Sequence, residues 1–190
     1  MMHPSEVSAV LVTRGDQDLT AIYDSISQAG IEDIVTWDNS KRENRSCYGR
    51  YLGIQEAKCE FIYHQDDDLV APVAEILDHF DPLVDGFTIM ANNRVDEEWQ
   101  LTAMGTVFHR ELASILDTYR NVYPDGFDRI CDVPFAYMNA YRRICVGYQD
   151  LPWASAPGAS MYLEEGHYHV RQEARKNALN LVNDLVKAYG

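Results

Sequence analysis

Three consecutive carboxylates, Asp66, Asp67 and Asp68, are the side chains of this sequence best suited to chemistry. They follow, after His64 and Gln65, residues 61–63 (FIY), a short apolar run that predicts a buried strand. Grouped carboxylates repel one another, so they are tolerated where solvent, a cation or a hydrogen-bond donor compensates their charge. Their oxygen atoms suit Mg²⁺ or Mn²⁺, which can bridge a diphosphate. A solvated acidic turn before the helix that starts near Pro72 is the structural alternative.

Two further polar pairs follow predicted strands. Thr13 and Arg14 end the first apolar run of the chain, and Asp38 and Asn39 end the second. Parallel sheets bind ligands outside the C-terminal ends of their strands. We therefore expect both pairs to lie beside the three aspartates, at one edge of a sheet.

The elements that must position these groups alternate along the first half of the chain. Apolar runs predict strands at 7–13, 31–37, 61–63 and 85–91, and helical spacing predicts helices at 18–29, 50–58 and 72–80. This alternation predicts an α/β fold with a largely parallel sheet. In the second half we predict helices at 106–119, 133–141 and 170–189 and a loop at 151–166. No linker divides the chain, so we expect a single domain over residues 1–190.

Charge and cysteine content exclude several classes of protein. Sixteen Lys and Arg against thirty Asp and Glu give a net charge of −14. Such a surface repels DNA phosphates and anionic membranes, which argues against a generic nucleic-acid-coating role. The four cysteines, Cys47, Cys59, Cys131 and Cys145, form no C-x-x-C pair and no disulfide framework. With no stretch near the roughly 18 apolar residues of a membrane span and no signal-peptide pattern, we expect a reduced, soluble, cytoplasmic protein.

Seven motifs follow one another along the chain: VLVTRGD at 10–16, WDNS at 37–40, GRYLGIQEAK at 49–58, FIYHQDDDLV at 61–70, GTVFHREL at 105–112, CD at 131–132 and HYHVR at 167–171. In order and spacing they resemble glycosyltransferases of the GT-A fold, in particular family 2 and small enzymes encoded by bacteriophages. The resemblance implies a Rossmann-like, mostly parallel central sheet flanked by helices. It also implies a nucleotide-binding half at 1–91, an acceptor-side half with a closing helix at 92–190, and a bacterial or phage-infected host cell.

The resemblance assigns a metal site to the aspartates. Asp66 and Asp68 match the D-x-D motif, whose first carboxylate meets the ribose and whose last meets the Mn²⁺ or Mg²⁺ that bridges the diphosphate. Asp67 between them is assigned to the donor site. A C-terminal histidine is a frequent further ligand in this fold, and His167 fits the H-x-x-x-R pattern better than His169 does. The predicted metal ligands are thus Asp66, Asp68 and His167.

The resemblance likewise implies where the nucleotide sugar binds. The matching positions hold the base, the ribose or the phosphates, and in this chain they are Thr13, Arg14, Asp38, Asn39, Arg50 and Arg171. Asp38 and Asn39 also favour turns for local reasons, which is the alternative for that pair.

Asp132 is the predicted catalytic base, because an acidic residue at this position takes the proton of the acceptor hydroxyl in inverting members of the family. Many members have Glu-Asp here, whereas this chain has Cys131 before Asp132. The neighbouring acids Asp128 and Asp125 are alternatives, and Asp132 could also cap the following helix.

The predicted activity is metal-dependent transfer of a sugar from a nucleotide-diphosphate sugar to an acceptor hydroxyl, with inversion. A UDP-sugar is favoured by family frequency, and a GDP-sugar is possible. The acceptor stays open among a saccharide, a lipid-linked sugar, a protein and a modified DNA base. Two alternatives are a catalytically inactive protein that binds nucleotide or divalent cation, and a nucleotidyltransferase. Against the latter, the first strand ends in TRGD rather than in a Gly-rich loop with Lys.

Overall fold

The computed structural model describes residues 2–94, 99–152 and 167–189. Its strands are β1 (Val7–Thr13), β2 (Asp33–Asp38), β3 (Phe61–Gln65), β4 (Leu69–Val70), β5 (Thr88–Asn92), β6 (Thr106–His109), β7 (Ala140–Ile144) and β8 (Gln149–Asp150). Its helices are α1 (Thr20–Gln28), α2 (Gly49–Gly53), α3 (Val73–Asp78), α4 (Pro82–Asp85), α5 (Ile115–Val122), α6 (Phe127–Ile130), α7 (Asp132–Met138) and α8 (His167–Tyr189). Short 3₁₀ turns lie at Pro4–Glu6, Ser46–Tyr48 and Arg110–Ser114.

Six of the strands form one sheet in the order β2-β1-β3-β6-β5-β7, while β4 and β8 form a small antiparallel ribbon. The pairs β1–β2, β1–β3 and β5–β7 are parallel. Strand β6 runs antiparallel to both of its neighbours, β3 and β5. The prediction of an α/β fold with a mostly parallel sheet is confirmed, with β6 as its antiparallel member.

Apolar side chains cover both faces of the sheet. All seven residues of β1 are buried. On one side, Val10 belongs to a cluster built with α2, α5, α6, α7 and α8. On the other side, Ala9 and Leu11 pack in a cluster with α1 and α3, where Ile22 and Ile26 lie one helical turn apart and are fully buried. This double cover explains why β1 has a continuous apolar sequence instead of an alternating one.

Two helix predictions in the second half are wrong in part. Residues 106–119 do not form one helix, because β6 occupies the first four positions and a 3₁₀ turn separates it from α5. Val107 and Phe108 are fully buried on opposite faces of the sheet. Apolar and polar residues therefore do not alternate here, and the sequence pattern does not distinguish a strand from a helix. The helix predicted at 133–141 ends at Met138, since Asn139 is extended and the chain continues into β7.

The strands that reach the edge with the candidate site lie close to their predicted places, whereas the helix predicted at 50–58 is α2 and ends at Gly53. The parallel register pairs Thr13 with Asp38 and Leu11 with Gln65, so β1, β2 and β3 end at the same edge of the sheet. Next to this edge, a Cβ on Gly49 would lie 2.3 Å from the indole ring of Trp37, so only glycine lets α2 begin against the end of β2.

The last predicted elements fall at the limits of the described residues. Helix α8 begins at His167, three residues before the predicted start at 170, and packs on α7 through buried Ala174 and Ala178. Most of the loop predicted at 151–166 lies outside the described residues. Within the described ranges, no helix combines the length and the apolar character needed to cross a membrane.

Candidate functional site

A cavity of about 380 Å³ opens at the carboxyl ends of β1, β2 and β3. Ten of the eleven predicted site residues line it: Thr13, Arg14, Asn39, Arg50, Asp66, Asp67, Asp68, Asp132, His167 and Arg171. They come from three strand ends, from α2 and from the first turns of α7 and α8. The fold therefore gathers into one cavity residues that are spread over most of the chain.

Asp38 is the predicted site residue that does not line the cavity. Its carboxylate accepts hydrogen bonds from the backbone N–H of Ser40 at 2.9 Å and from the hydroxyl of Ser40 at 2.6 Å. It also forms an ion pair with Lys41 at 2.8 Å. The bond from Lys41, with those from Ser40, lowers the pKa of Asp38 to about 2. This carboxylate thus closes the turn after β2, the local role that was the alternative for this pair.

Asn39 lines the cavity while its side chain holds the loop that follows. Its Oδ1 accepts from the backbone N–H of Arg45 at 2.9 Å, and its Nδ2 donates to the carbonyl of Ser46 at 3.2 Å. Its own backbone N–H donates to the carbonyl of Thr13, also at 2.9 Å. Asn39 therefore fixes the wall of the cavity between β2 and α2.

Arg50 lies at the centre of the site, with only 2% of its surface exposed. Its Nη2 donates to Asp66 and lies 3.8 Å from the carboxylate of Asp132. Burial opposes the charge of this guanidinium, but Asp132 and Asp66 raise the pKa of Arg50 well above its ordinary value, so it stays protonated. Its Nε and Nη1 are buried and have no hydrogen-bond partner among the described residues. One buried cation thus joins the D-x-D motif to the predicted base.

The aspartate cluster is crowded with like charge. Burial raises the pKa of Asp66 to about 7, and repulsion by the neighbouring carboxylates adds to the rise despite the opposing effect of Arg50. Burial and the charge of Asp67 also raise the pKa of Asp68. Ionised carboxylates in this position are short of positive charge, the condition in which a bound cation stabilises them.

Asp132 opens α7 and faces the cavity. Its Oδ1 accepts a hydrogen bond of 2.6 Å from the hydroxyl of Tyr51, a residue of α2. Burial acts to raise the pKa of Asp132, but Arg50 and the bond from Tyr51 outweigh it and lower the pKa below its usual value. The carboxylate is therefore ionised at neutral pH and able to accept a proton.

The two alternative acids do not reach the cavity. Asp128 forms an ion pair of 3.2 Å with Arg45, and Asp125 is exposed. Neither of them lines the cavity, whereas Asp132 does.

The closing helix α8 contributes its first turn to the site. His167 and Arg171 lie one turn apart, line the cavity and are each 9% exposed. The guanidinium of Arg171 also stacks over the ring of Trp99, 5.1 Å from its centroid. His169 is exposed and does not line the cavity, so of the two histidines the structure brings His167 to the site.

The predicted metal ligands share the cavity without forming a three-ligand cluster. Within the described residues, Asp66, Asp68 and His167 do not bring three ligand atoms within 4.8 Å of one another. Mg²⁺ in nucleotide sites is commonly held by one or two carboxylates together with substrate phosphates and water. The arrangement suits an ion of that kind, held by Asp68 and the oxygen atoms of a diphosphate, because Asp66 is already engaged by Arg50.

Several residues of the site were not predicted. Tyr51 holds Asp132, while Cys47, Arg129, Gln100 and Thr102 line the cavity. Tyr51 has the spacing of a helix residue that packs on the sheet, and it does pack there, so its hydroxyl gives no separate signal. Gln100 and Thr102 belong to the segment that precedes β6. The path of this segment depends on β6, which was not predicted from the sequence.

The comparisons with known proteins bear on the fold. No family model matches the chain, and no curated protein matches it. Among solved structures, the chain is similar to residues 1–349 of S. aureus TarS, a glycosyltransferase, at 13% identity. The likeness has a TM-score of 0.51 and covers 97% of this chain and 74% of the other. At this level of identity the likeness concerns the fold alone.

Proposed function

We propose that this protein is a metal-dependent glycosyltransferase of the GT-A type, which moves a sugar from a nucleotide-diphosphate sugar to an acceptor hydroxyl with inversion. One observation carries the proposal: the cavity at the strand ends brings together Asp66, Asp68, Arg50, Asp132 and Arg171. The fold likeness to a glycosyltransferase supports the same reaction class.

The charges of the cavity suit a nucleotide diphosphate. Four arginines line it, Arg14, Arg50, Arg129 and Arg171, together with the aspartates. Guanidinium groups bind phosphate oxygens in two-pronged geometry, and the buried donors of Arg50 strengthen the local positive potential. An anionic ligand can thus bind in this cavity although the protein as a whole carries −14.

A Mn²⁺ or Mg²⁺ ion fits the chemistry of the aspartate cluster. Asp68 is its protein ligand in this proposal, and His167 lines the same cavity as a candidate second ligand. When bound, such an ion neutralises the charge of the leaving diphosphate. Asp66, held by Arg50, is left to accept hydrogen bonds from the ribose hydroxyls.

Asp132 acts as the general base. The acceptor hydroxyl attacks the anomeric carbon, its proton passes to a carboxylate oxygen of Asp132, and the bond to the diphosphate breaks on the opposite face of the sugar. Tyr51 orients the carboxylate through its bond to Oδ1, which leaves Oδ2 for the proton. Arg50 and Arg171 line the cavity as cations for the departing diphosphate. A single attack from the face of Asp132 inverts the anomeric carbon.

The test is a screen of nucleotide sugars. Thermal unfolding of the parent protein with UDP-, GDP- and other nucleotide sugars, each with Mn²⁺ or with EDTA, should identify a donor that raises the melting temperature only with the metal. The selected donor is then incubated with the protein, and release of the nucleoside diphosphate is measured with the anomeric configuration of the product by NMR. Stabilisation and turnover with inversion support the proposal.

The same screen separates the enzyme from the other candidates. A nucleotide sugar that stabilises the protein but is neither transferred to an acceptor nor hydrolysed by water would favour a protein that only binds the ligand. Release of pyrophosphate from a nucleoside triphosphate would favour a nucleotidyltransferase. Retention at the anomeric carbon would remove Asp132 from the role of base.

A further inference from the structure

Two free cysteines lie against the predicted base in a cluster that the proposed reaction does not use. Cys47 belongs to the 3₁₀ turn Ser46–Tyr48, and Cys131 directly precedes α7. Their Sγ atoms are 3.2 Å apart, and both side chains are buried. The two sulfur atoms and one carboxylate oxygen of Asp132 all lie within 4.8 Å of one another. Within the described residues, this is the only group of three His, Cys, Asp or Glu side chains with ligand atoms that close.

The spacing of these atoms suits a small, thiophilic cation. Zn²⁺ binds sulfur at about 2.3 Å and carboxylate oxygen at about 2.0–2.2 Å in a tetrahedron, so its ligand atoms lie roughly 3.3–3.8 Å apart. The two sulfur atoms need to separate by only about half an ångström to reach that spacing. The backbone carbonyl oxygen of Asp128 is 3.1 Å from the Sγ of Cys47 and is a further oxygen atom at the same place.

We propose that Cys47, Cys131 and Asp132 form a binding site for a soft divalent cation, with Zn²⁺ as its biological occupant. Thiolate ligands select Zn²⁺ over Mg²⁺ and Mn²⁺, which prefer oxygen. This site therefore differs in chemistry from the aspartate cluster, although both contact Arg50. Cys47 and Asp132 line the cavity, which gives the ion a path from solvent to the buried sulfur of Cys131.

Charge balance favours the same occupant. Two thiolates and the carboxylate of Asp132 carry three negative charges when a metal binds. Zn²⁺ supplies two positive charges, and the guanidinium of Arg50, which Asp132 shares with Asp66, lies 3.8 Å from the Asp132 carboxylate and offsets part of the third. The protons leave the two thiols as the ion binds, so no oxidant or reductant is needed.

An ion at this site would hold the carboxylate that we propose as the base. Zn²⁺ should therefore inhibit sugar transfer without competing with the donor, a consequence that rests on the proposed function. Binding itself does not depend on that function, and it is measured without any transferase reaction.

The test is a titration of the reduced protein with Cd²⁺, which forms an ultraviolet charge-transfer band with thiolates. The parent protein and the exposed-cysteine control Cys145→Ser should both show the band with one ion per chain. Cys47→Ser should lose it, because one of two sulfur ligands is gone. Asp68→Ala should keep it, which separates this site from the aspartate cluster. A band that persists in Cys47→Ser, or that disappears in Cys145→Ser, would overturn the assignment.

A second measurement on the parent protein avoids any variant that fails to fold. The thiols are alkylated with iodoacetamide in the presence of Zn²⁺ or Mg²⁺, and each cysteine is quantified by mass spectrometry. Zn²⁺ should slow modification of Cys47 and leave that of Cys145 unchanged, whereas Mg²⁺ should slow neither. Equal rates of Cys47 modification in the two metals would refute the site.

Discussion

Removing one hydroxyl group, in Tyr51→Phe, tests how the predicted base is held. The hydroxyl of Tyr51 donates to the ionised Asp132 at 2.6 Å, and the tyrosine is only 5% exposed. A hydrogen bond to a charged group contributes about 1.5–3 kcal/mol, against about 0.5–1.5 kcal/mol for a neutral pair. For a chain of this length, we expect the melting temperature at pH 7 to fall by roughly 3–12 °C.

The control is Tyr63→Phe. The hydroxyl of Tyr63 makes a bond of the same length, 2.6 Å, to the neutral side chain of Gln65, and its residue is fully buried. Its loss should cost about 0.5–1.5 kcal/mol at any pH, because neither partner ionises in the range studied.

The pH dependence gives the decisive measurement. The folded-state pKa of Asp132 is lowered, so its bonds stabilise the fold above the unfolded-state pKa of about 3.9 and lose this effect as pH falls through the folded-state value. The destabilisation by Tyr51→Phe should therefore be largest at pH 6–7 and shrink toward pH 3. Free energies of unfolding are measured by urea denaturation in EDTA across that range. The reasoning is refuted if Tyr51→Phe lowers the free energy of unfolding equally at every pH, or by no more at pH 7 than Tyr63→Phe does.

Three more predictions concern the site itself. Asp68→Ala should abolish Mn²⁺-dependent binding of the donor nucleotide while leaving the metal-free melting temperature within a few degrees of the parent, and unchanged affinity in calorimetry would remove Asp68 from the metal site. Asp132→Asn should bind donor and Mn²⁺ normally but transfer sugar about 10²–10⁴-fold more slowly, as expected for loss of a general base; loss of donor binding would instead place Asp132 in the nucleotide site. His167→Ala should weaken Mn²⁺ affinity in the donor complex more than His169→Ala does, because only His167 lines the cavity; equal effects would exclude it as a ligand.

The edge of the sheet that carries the candidate site was predictable from sequence because strand ends can be identified from apolar runs. The run 7–13 is buried on both faces and stops where Thr13 and Arg14 begin the polar edge. The aspartates follow the third run in the same way. Since β1, β2 and β3 are parallel neighbours, three separate local patterns were enough to place the three polar groups together.

Contacts between distant elements were not predictable in this way. The pairing of Arg50 with both Asp66 and Asp132 depends on how α2 and α7 pack across the sheet, and no local pattern records that packing. The same is true of Cys47 and Cys131, which are separated by more than eighty residues and meet only in the fold. Strand β6 was missed for a different reason: it has only four residues, shows no alternation, and runs directly into the 3₁₀ turn and helix α5 that follow, so its run reads as part of that helix.

The position of β6 has a consequence for how this chain is synthesised and folds. Strand β5 contains the fully buried residues Ile89, Met90 and Ala91. Among the strands that the structure describes, its partners are β6 and β7, and both come later in the chain. The ribosome synthesises β5 before either partner strand. Until those strands emerge, the backbone hydrogen-bonding groups on both edges of this apolar strand are unpaired. Unpaired strands of this kind are aggregation-prone, and the pairing they need here is non-local and therefore slow. Expression yield of this protein should thus depend on conditions that protect β5 until β7 has emerged, such as lower temperature or added chaperones.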